Sequence, residues 1–151
     1  MDNMEMMGFD AEVEAADNET SVVELKKVQN RPPYAVWTVR GADYKLKLST
    51  AVICKLEEKY KRNLLMVMMD NEGLPSVATM LTVVQAAMQK YHHGYSFGRV
   101  QDLYDDYVEE GGSQANMMAD VVMPLLAIAG FFTPAQTETM KEAMKDIDSV
   151  L

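Results

Sequence analysis

Residues Trp37 to Tyr60, WTVRGADYKLKLSTAVICKLEEKY, change from an alternating pattern to a helical one, and that switch of period limits the folds open to the chain. Tyr44, Lys45, Leu46, Lys47 and Leu48 alternate apolar and basic side chains, the period-two signature of a strand with one buried and one wet face. Val36 to Val39 supply a partner strand, with Arg40 to Asp43 and its Gly41 as the turn. Ser49 or Thr50 then caps a helix on which Ile53, Leu56 and Tyr60 share a face. Two strands alone are marginal in water, so the Tyr44, Leu46 and Leu48 face is expected to rest on that helix or the next.

The residues that follow read as helices. Lys61 to Asn63 break the first one, and Leu64 to Met69 are apolar on every side, which predicts a short, fully buried helical turn. After a turn over Asp70 to Gly73, Pro75 suits a first helical turn, and Val77, Met80, Leu81, Val84, Met88 and Tyr91 recur at helical spacing. His92, His93 and Gly94 close that helix, and Ser96 opens the next. Its inward stripe is Phe97, Val100, Leu103, Tyr104, Tyr107 and Val108; Gly111 and Gly112 stop it, and Ser113 caps another. That helix is apolar around so much of its circumference that it should be central, with a kink at Pro124. Gly130 closes it, and Thr133 with Pro134 starts a last helix along which Met140, Met144, Ile147 and Leu151 repeat. The expected fold class is mainly α: an N-terminal β-hairpin followed by a compact bundle of five or six helices.

Charge divides the chain. Residues 1 to 24 hold eight acids and no Lys or Arg, whereas the other fifteen acids are nearly balanced by fourteen bases, so the net charge of −9 belongs almost entirely to the N-terminal segment. With few apolar residues to offset its ordering entropy, that segment predicts a flexible acidic arm over 1–33, ended by Pro32 and Pro33, ahead of a single domain over 34–151. The arm disfavours nucleic acid as a partner, although Lys45, Lys47, Lys55, Lys59, Lys61 and Arg62 form a local basic cluster matched by Glu57, Glu58 and the arm itself. The start carries no signal-peptide pattern and no apolar run spans a bilayer, so a soluble cytoplasmic protein without membrane contact is expected. The single cysteine, Cys54, rules out an intrachain disulfide and is expected to be a small packing residue.

Constellations that carry chemistry fail on missing members. Asp102, Asp105, Asp106 and Glu109 share one helical face, which reads as a solvated ridge because no calcium loop or convergent His accompanies them. His92 and His93 are adjacent and diverge, so no zinc arrangement can be written, and no elbow or triad signature activates a Ser. The Glu110-Gly111-Gly112-Ser113 loop lacks a Lys and places acids where a phosphate would sit. The expectation is a non-enzyme with no catalytic residue, no cofactor and no metal. Fourteen methionines remain to be explained, and Met makes both irregular cores and adaptable binding surfaces. Met117, Met118, Phe131, Phe132, Met140 and Met144 form a C-terminal cluster larger than one helix pair needs, and are the candidate surface for a partner or a second copy of the chain.

From YKLKLSTAVICKLEEKY, through the LPSVATMLTVVQAAMQKY helix after an Asn-Glu-Gly turn, to DLYDDYVEEGGS and VMPLLAIAGFF, the order of signals resembles the tail assembly chaperones of long-tailed bacteriophages and prophages. The resemblance covers about residues 36 to 132 and rests on packing and turn motifs. It implies a mostly helical, non-enzymatic protein of the bacterial host cytoplasm that binds the tape measure protein, keeps it soluble, helps recruit tail tube subunits and is absent from the mature virion. The Met-rich acidic arm departs from the family pattern. Two other readings compete: a small acidic inhibitor or adaptor of a host enzyme, using the arm as a polyanion, and a structural tail component.

Overall fold

The computed structural model describes residues 31–69 and 73–150, with side chains through residue 143. Most of the arm and most of the turn expected at Asp70 to Gly73 therefore lie outside the described residues. Pro32–Leu151 form one compact unit.

β1 (Ala35–Val39) and β2 (Ala42–Leu46) pair antiparallel, from Ala35 opposite Leu46 to Val39 opposite Ala42. Only Arg40 and Gly41 turn the chain, both at positive φ, 49° and 77°, as a type I′ turn requires to match the strand twist. The expected four-residue turn over Arg40 to Asp43 is thus corrected to two residues. Ala42 and Asp43 join the strand, and Lys47 and Leu48 fall outside it. The buried alternation survives the shift: Ala35, Trp37, Val39, Leu46 and Leu48 are buried and Tyr44 is half-buried.

Six helices follow among the described residues: α1 (Thr50–Tyr60), α2 (Leu64–Met69), α3 (Val77–Met88), α4 (Phe97–Glu109), a composite α5, and α6 (Pro134–Val150). α5 runs from Gln114–Met117 through a π-helical stretch, Met118–Val122, into Met123–Ile128. Local chemistry starts most of them. Ser49, Ser76, Ser96 and Ser113 each accept a hydrogen bond from the amide three residues on, and each such cap contributes about 1 kcal/mol. Pro75 precedes the Ser76 cap rather than entering the first turn of α3. At α6, Thr133 Oγ1 accepts from the Gln136 amide and Gln136 Oε1 accepts from the Thr133 amide, a reciprocal capping box.

Two helix ends close through left-handed glycines. After α4, Gly111 sits at φ 103°, its amide donating to Val108 O and that of Gly112 to Tyr107 O; Gly130, at φ 94°, does the same after α5 with Phe131. Gly112 has a second constraint, because a Cβ there would lie 2.5 Å from the Tyr107 ring. That ring packs edge-on against Trp37 at 5.8 Å, so it has little room to retreat. Gly112→Ala is expected to destabilise the domain by about 1–3 kcal/mol, the usual cost of overpacking. A urea midpoint equal to that of the wild type would contradict this.

Every buried residue among those described is apolar. Trp37, Leu46, Leu64, Met68, Met80, Met88, Met117, Leu125 and Leu126 are the largest fully enclosed side chains. The hairpin thus rests on a continuous core shared by α1 to α5. α2 departs from the fully buried turn expected of it: Leu64 and Met68 are enclosed, but Met66 and Met69 are 52% and 46% exposed. An apolar run says nothing about how many faces have neighbours, and α2 has them on one. The kink expected at Pro124 takes the form of the π stretch, in which the Met123 amide reaches back five residues to Met118 O just before the proline removes a donor.

Candidate interaction surface

The C-terminal apolar cluster is divided by the fold. Met117 is 0% and Met118 8% exposed, because both point from α5 into the main core. Neither can meet a partner in the folded domain, which corrects the expectation for those two residues. Phe131 and Phe132, on the glycine corner after α5, and Met140, on α6, are half-buried at the margin of that core. Met144 lies on α6 with its side chain outside the described ones.

What remains accessible is an open groove of about 430 Å³ lined by Phe132, Ala135, Gln136, Thr139 and Met140. On its other side Met140 also closes a narrow crevice of about 30 Å³ between α5 and α6, with Met123, Pro124 and Ala127 as its apolar wall. Met140 is therefore the hinge between a packed interface and an exposed one. Further apolar exposure lies at Met66, Met69 and Leu74, where α2 leads toward α3.

The polar candidates separate in a way the sequence pattern hides. The acidic face of α4 does not stand alone in solvent: Arg40 Nη2 lies 3.1 Å from Asp106 Oδ1 and 2.8 Å from Glu109 Oε2, and the Arg40 amide donates to Glu110 Oε1 at 2.7 Å. Hydrogen bonding to Asp106 and its charge raise the Arg40 guanidinium above its ordinary value. Arg40 thus holds its non-glycine positive φ while this exposed clamp fixes the hairpin tip to the end of α4. Glu57 gains a further role: its Oε2 accepts from the Leu64 amide at 2.7 Å, at the start of α2. Cys54 is exposed, against the expectation of a packing residue.

His92 and His93 part company as expected, and His92 acquires a structural role. Its Nε2 accepts the Lys45 amide at 2.9 Å while the Lys47 amide donates to Ala87 O at 2.9 Å, so the end of α3 covers the outer edge of β2. The ring packs between Tyr44 and Tyr95, at 5.3 and 6.0 Å. Lys45 Nζ extends over Tyr34 at 4.9 Å and Tyr91 at 5.7 Å. Burial, and then the Lys45 charge, push the imidazole below its ordinary value of 6.5. Because the unfolded chain takes up the proton first, the contribution of His92 is intact above about pH 6.5 and is lost as pH falls toward the lowered folded-state value. The urea midpoint of the wild type is expected to fall more steeply below that pH than that of His92→Gln; parallel curves would refute the assignment.

No group of three or more His, Cys, Asp or Glu side chains capable of holding a metal ion occurs among the described residues. No helix among them is long and apolar enough to cross a membrane.

Residues 34–151 match a family described as a family of unknown function, DUF6096. The chain belongs to that family. The match begins at Tyr34, so in this DUF6096 protein it takes in the hairpin, all six helices and the Phe132–Met140 groove, and leaves out the acidic segment. No curated protein and no solved structure matches the chain.

Proposed function

We propose that this protein is a non-enzymatic assembly chaperone for the tails of long-tailed bacteriophages. It holds the long helical tape measure protein in solution in the host cytoplasm and helps recruit tail tube subunits before the tail is complete. The observation that carries the reading is the open groove of Phe132, Ala135, Gln136, Thr139 and Met140, whose lining is mostly apolar. An amphipathic helix laid along such a groove buries its apolar stripe, and an unbranched Met accommodates more than one stripe sequence. A protein that must shield successive turns of a long helix needs that tolerance. The resemblance over residues 36 to 132, on a hairpin-plus-helices fold, supports the same reading.

Coexpression with a tape measure protein from the same genome tests it. The wild type is expected to keep that protein in the soluble fraction and copurify with it, and Met140→Asp to lose capture while retaining its helical circular dichroism. Precipitation of the tape measure protein unchanged by the wild type would sink the proposal. Retention in purified particles would favour a structural tail component, and loss of all binding on deleting residues 1–30 an acidic inhibitor.

A further inference from the structure

The two edges of the hairpin are treated differently. A two-residue turn at Arg40 and Gly41 makes Val39–Ala42, Trp37–Tyr44 and Ala35–Leu46 the hydrogen-bonded pairs, so the backbone groups of the residues between them point outward. On β2 the outward amides of Lys45 and, just past the strand, Lys47 are used, by His92 and Ala87, while that of Asp43, beside the turn, meets no backbone acceptor outside the hairpin among the described residues. On β1 they belong to Val36 and Thr38, and among the described residues no backbone hydrogen bond from outside the hairpin reaches either. Both residues are exposed, Val36 at 40%. β1 reads Ala-Val-Trp-Thr-Val, without the lysine, proline or bulge by which exposed edges are ordinarily blunted.

We propose that this edge pairs with β1 of a second copy of the chain, forming a four-stranded antiparallel sheet about a two-fold axis at Trp37. The edge is self-complementary. With the axis at Trp37, Val36 of one copy stands opposite Thr38 of the other and the reverse, and each pair exchanges two N–H···O bonds. No charged side chain lies on β1, so the paired strands carry no like charges across the register. A two-stranded sheet is below the size at which sheets are stable by themselves, and pairing doubles it. The contact uses none of the groove residues, so it stands or falls separately from the chaperone role.

Sedimentation of the full chain across a concentration series, with hydrogen exchange of individual amides, tests the pairing. The wild type is expected to dimerise, with the Val36 and Thr38 amides protected in step with dimer formation. Val36→Pro removes an outward amide that the hairpin itself does not use, and is expected to be monomeric with the wild-type Trp37 fluorescence. As a second probe, V36K/T38K is expected to be monomeric alone and to pair when mixed with V36E/T38E. A wild type monomeric at every concentration would overturn the proposal. So would a dimer in which the Val36 and Thr38 amides exchange as fast as in the monomer, or one that persists in folded V36K/T38K.

Discussion

Leu46→Asp is expected to abolish the cooperative unfolding transition at neutral pH, leaving a chain with the fluorescence of an exposed tryptophan. Leu46 is 0% exposed at the end of β2, in a core in which every buried residue among those described is apolar. A carboxylate there has no cation to meet, and an uncompensated buried charge costs several kcal/mol on top of the lost Leu contacts, about the size of a domain's whole stability. Trp37 is the chain's single tryptophan and lies on the neighbouring strand, so its emission reports the loss directly. The neighbouring lysines provide the contrast. Lys45 is exposed and contributes its amide to His92 and its ammonium to two tyrosine rings, so Lys45→Glu is expected to cost no more than about 1 kcal/mol. Lys47→Glu leaves the bond from its amide to Ala87 in place and likewise keeps the fold. A folded, cooperative Leu46→Asp would show that the inward face of the hairpin does not organise the domain.

Trp37→Ala is expected to lose about 3–5 kcal/mol, since the indole is 1% exposed and its removal opens a cavity bordered by Tyr44 and Tyr107. Circular dichroism in a urea titration is the measurement, because the fluorophore is gone. Trp37→Phe separates two parts of that loss. The indole Nε1–H is buried without an acceptor, a donor whose desolvation costs about 1–3 kcal/mol. Phe removes that unpaired donor while keeping a ring against Tyr107, so it is expected to be markedly more stable than Trp37→Ala. Equal losses for the two variants would mean that the ring contacts carry none of the stability.

Local signals in the sequence placed the hairpin, the caps at Ser49, Ser96 and Ser113 and the stops at Gly111 and Gly130, because each is decided within four or five residues by the chain itself. At α3 they misled, since Ser76 rather than Pro75 begins that helix and it ends at Met88, before Gly94. The other errors fall where distant neighbours decide. The turn tightened to two residues because Arg40 accepts a positive φ, and its partners are Asp106, Glu109 and Glu110, far along the chain. Exposure of Met66 and Met69, and burial of Met117 and Met118, depend on which helix faces have partners, and composition alone treats all four alike. Two of the five residues that line the groove were accordingly legible. Phe132 and Met140 lie at the exposed margin, while Ala135, Gln136 and Thr139 were missed, although their spacing from Phe132 and Met140 along one helical face was the available signal.

The widened turn at Met118–Val122 keeps that margin where it points. A residue added to a regular α-helix advances everything downstream by about 100° around its axis, whereas a π-helical turn takes one in by widening. Met123–Ile128, the corner at Phe131 and Phe132, and the start of α6 thereby keep the phase that an α-helix one residue shorter gives them. A chain one residue shorter in this stretch would close the wide turn into an α-helical one and leave the groove facing the same way, so this is where the helix absorbs a change of residue count without re-aiming the surface.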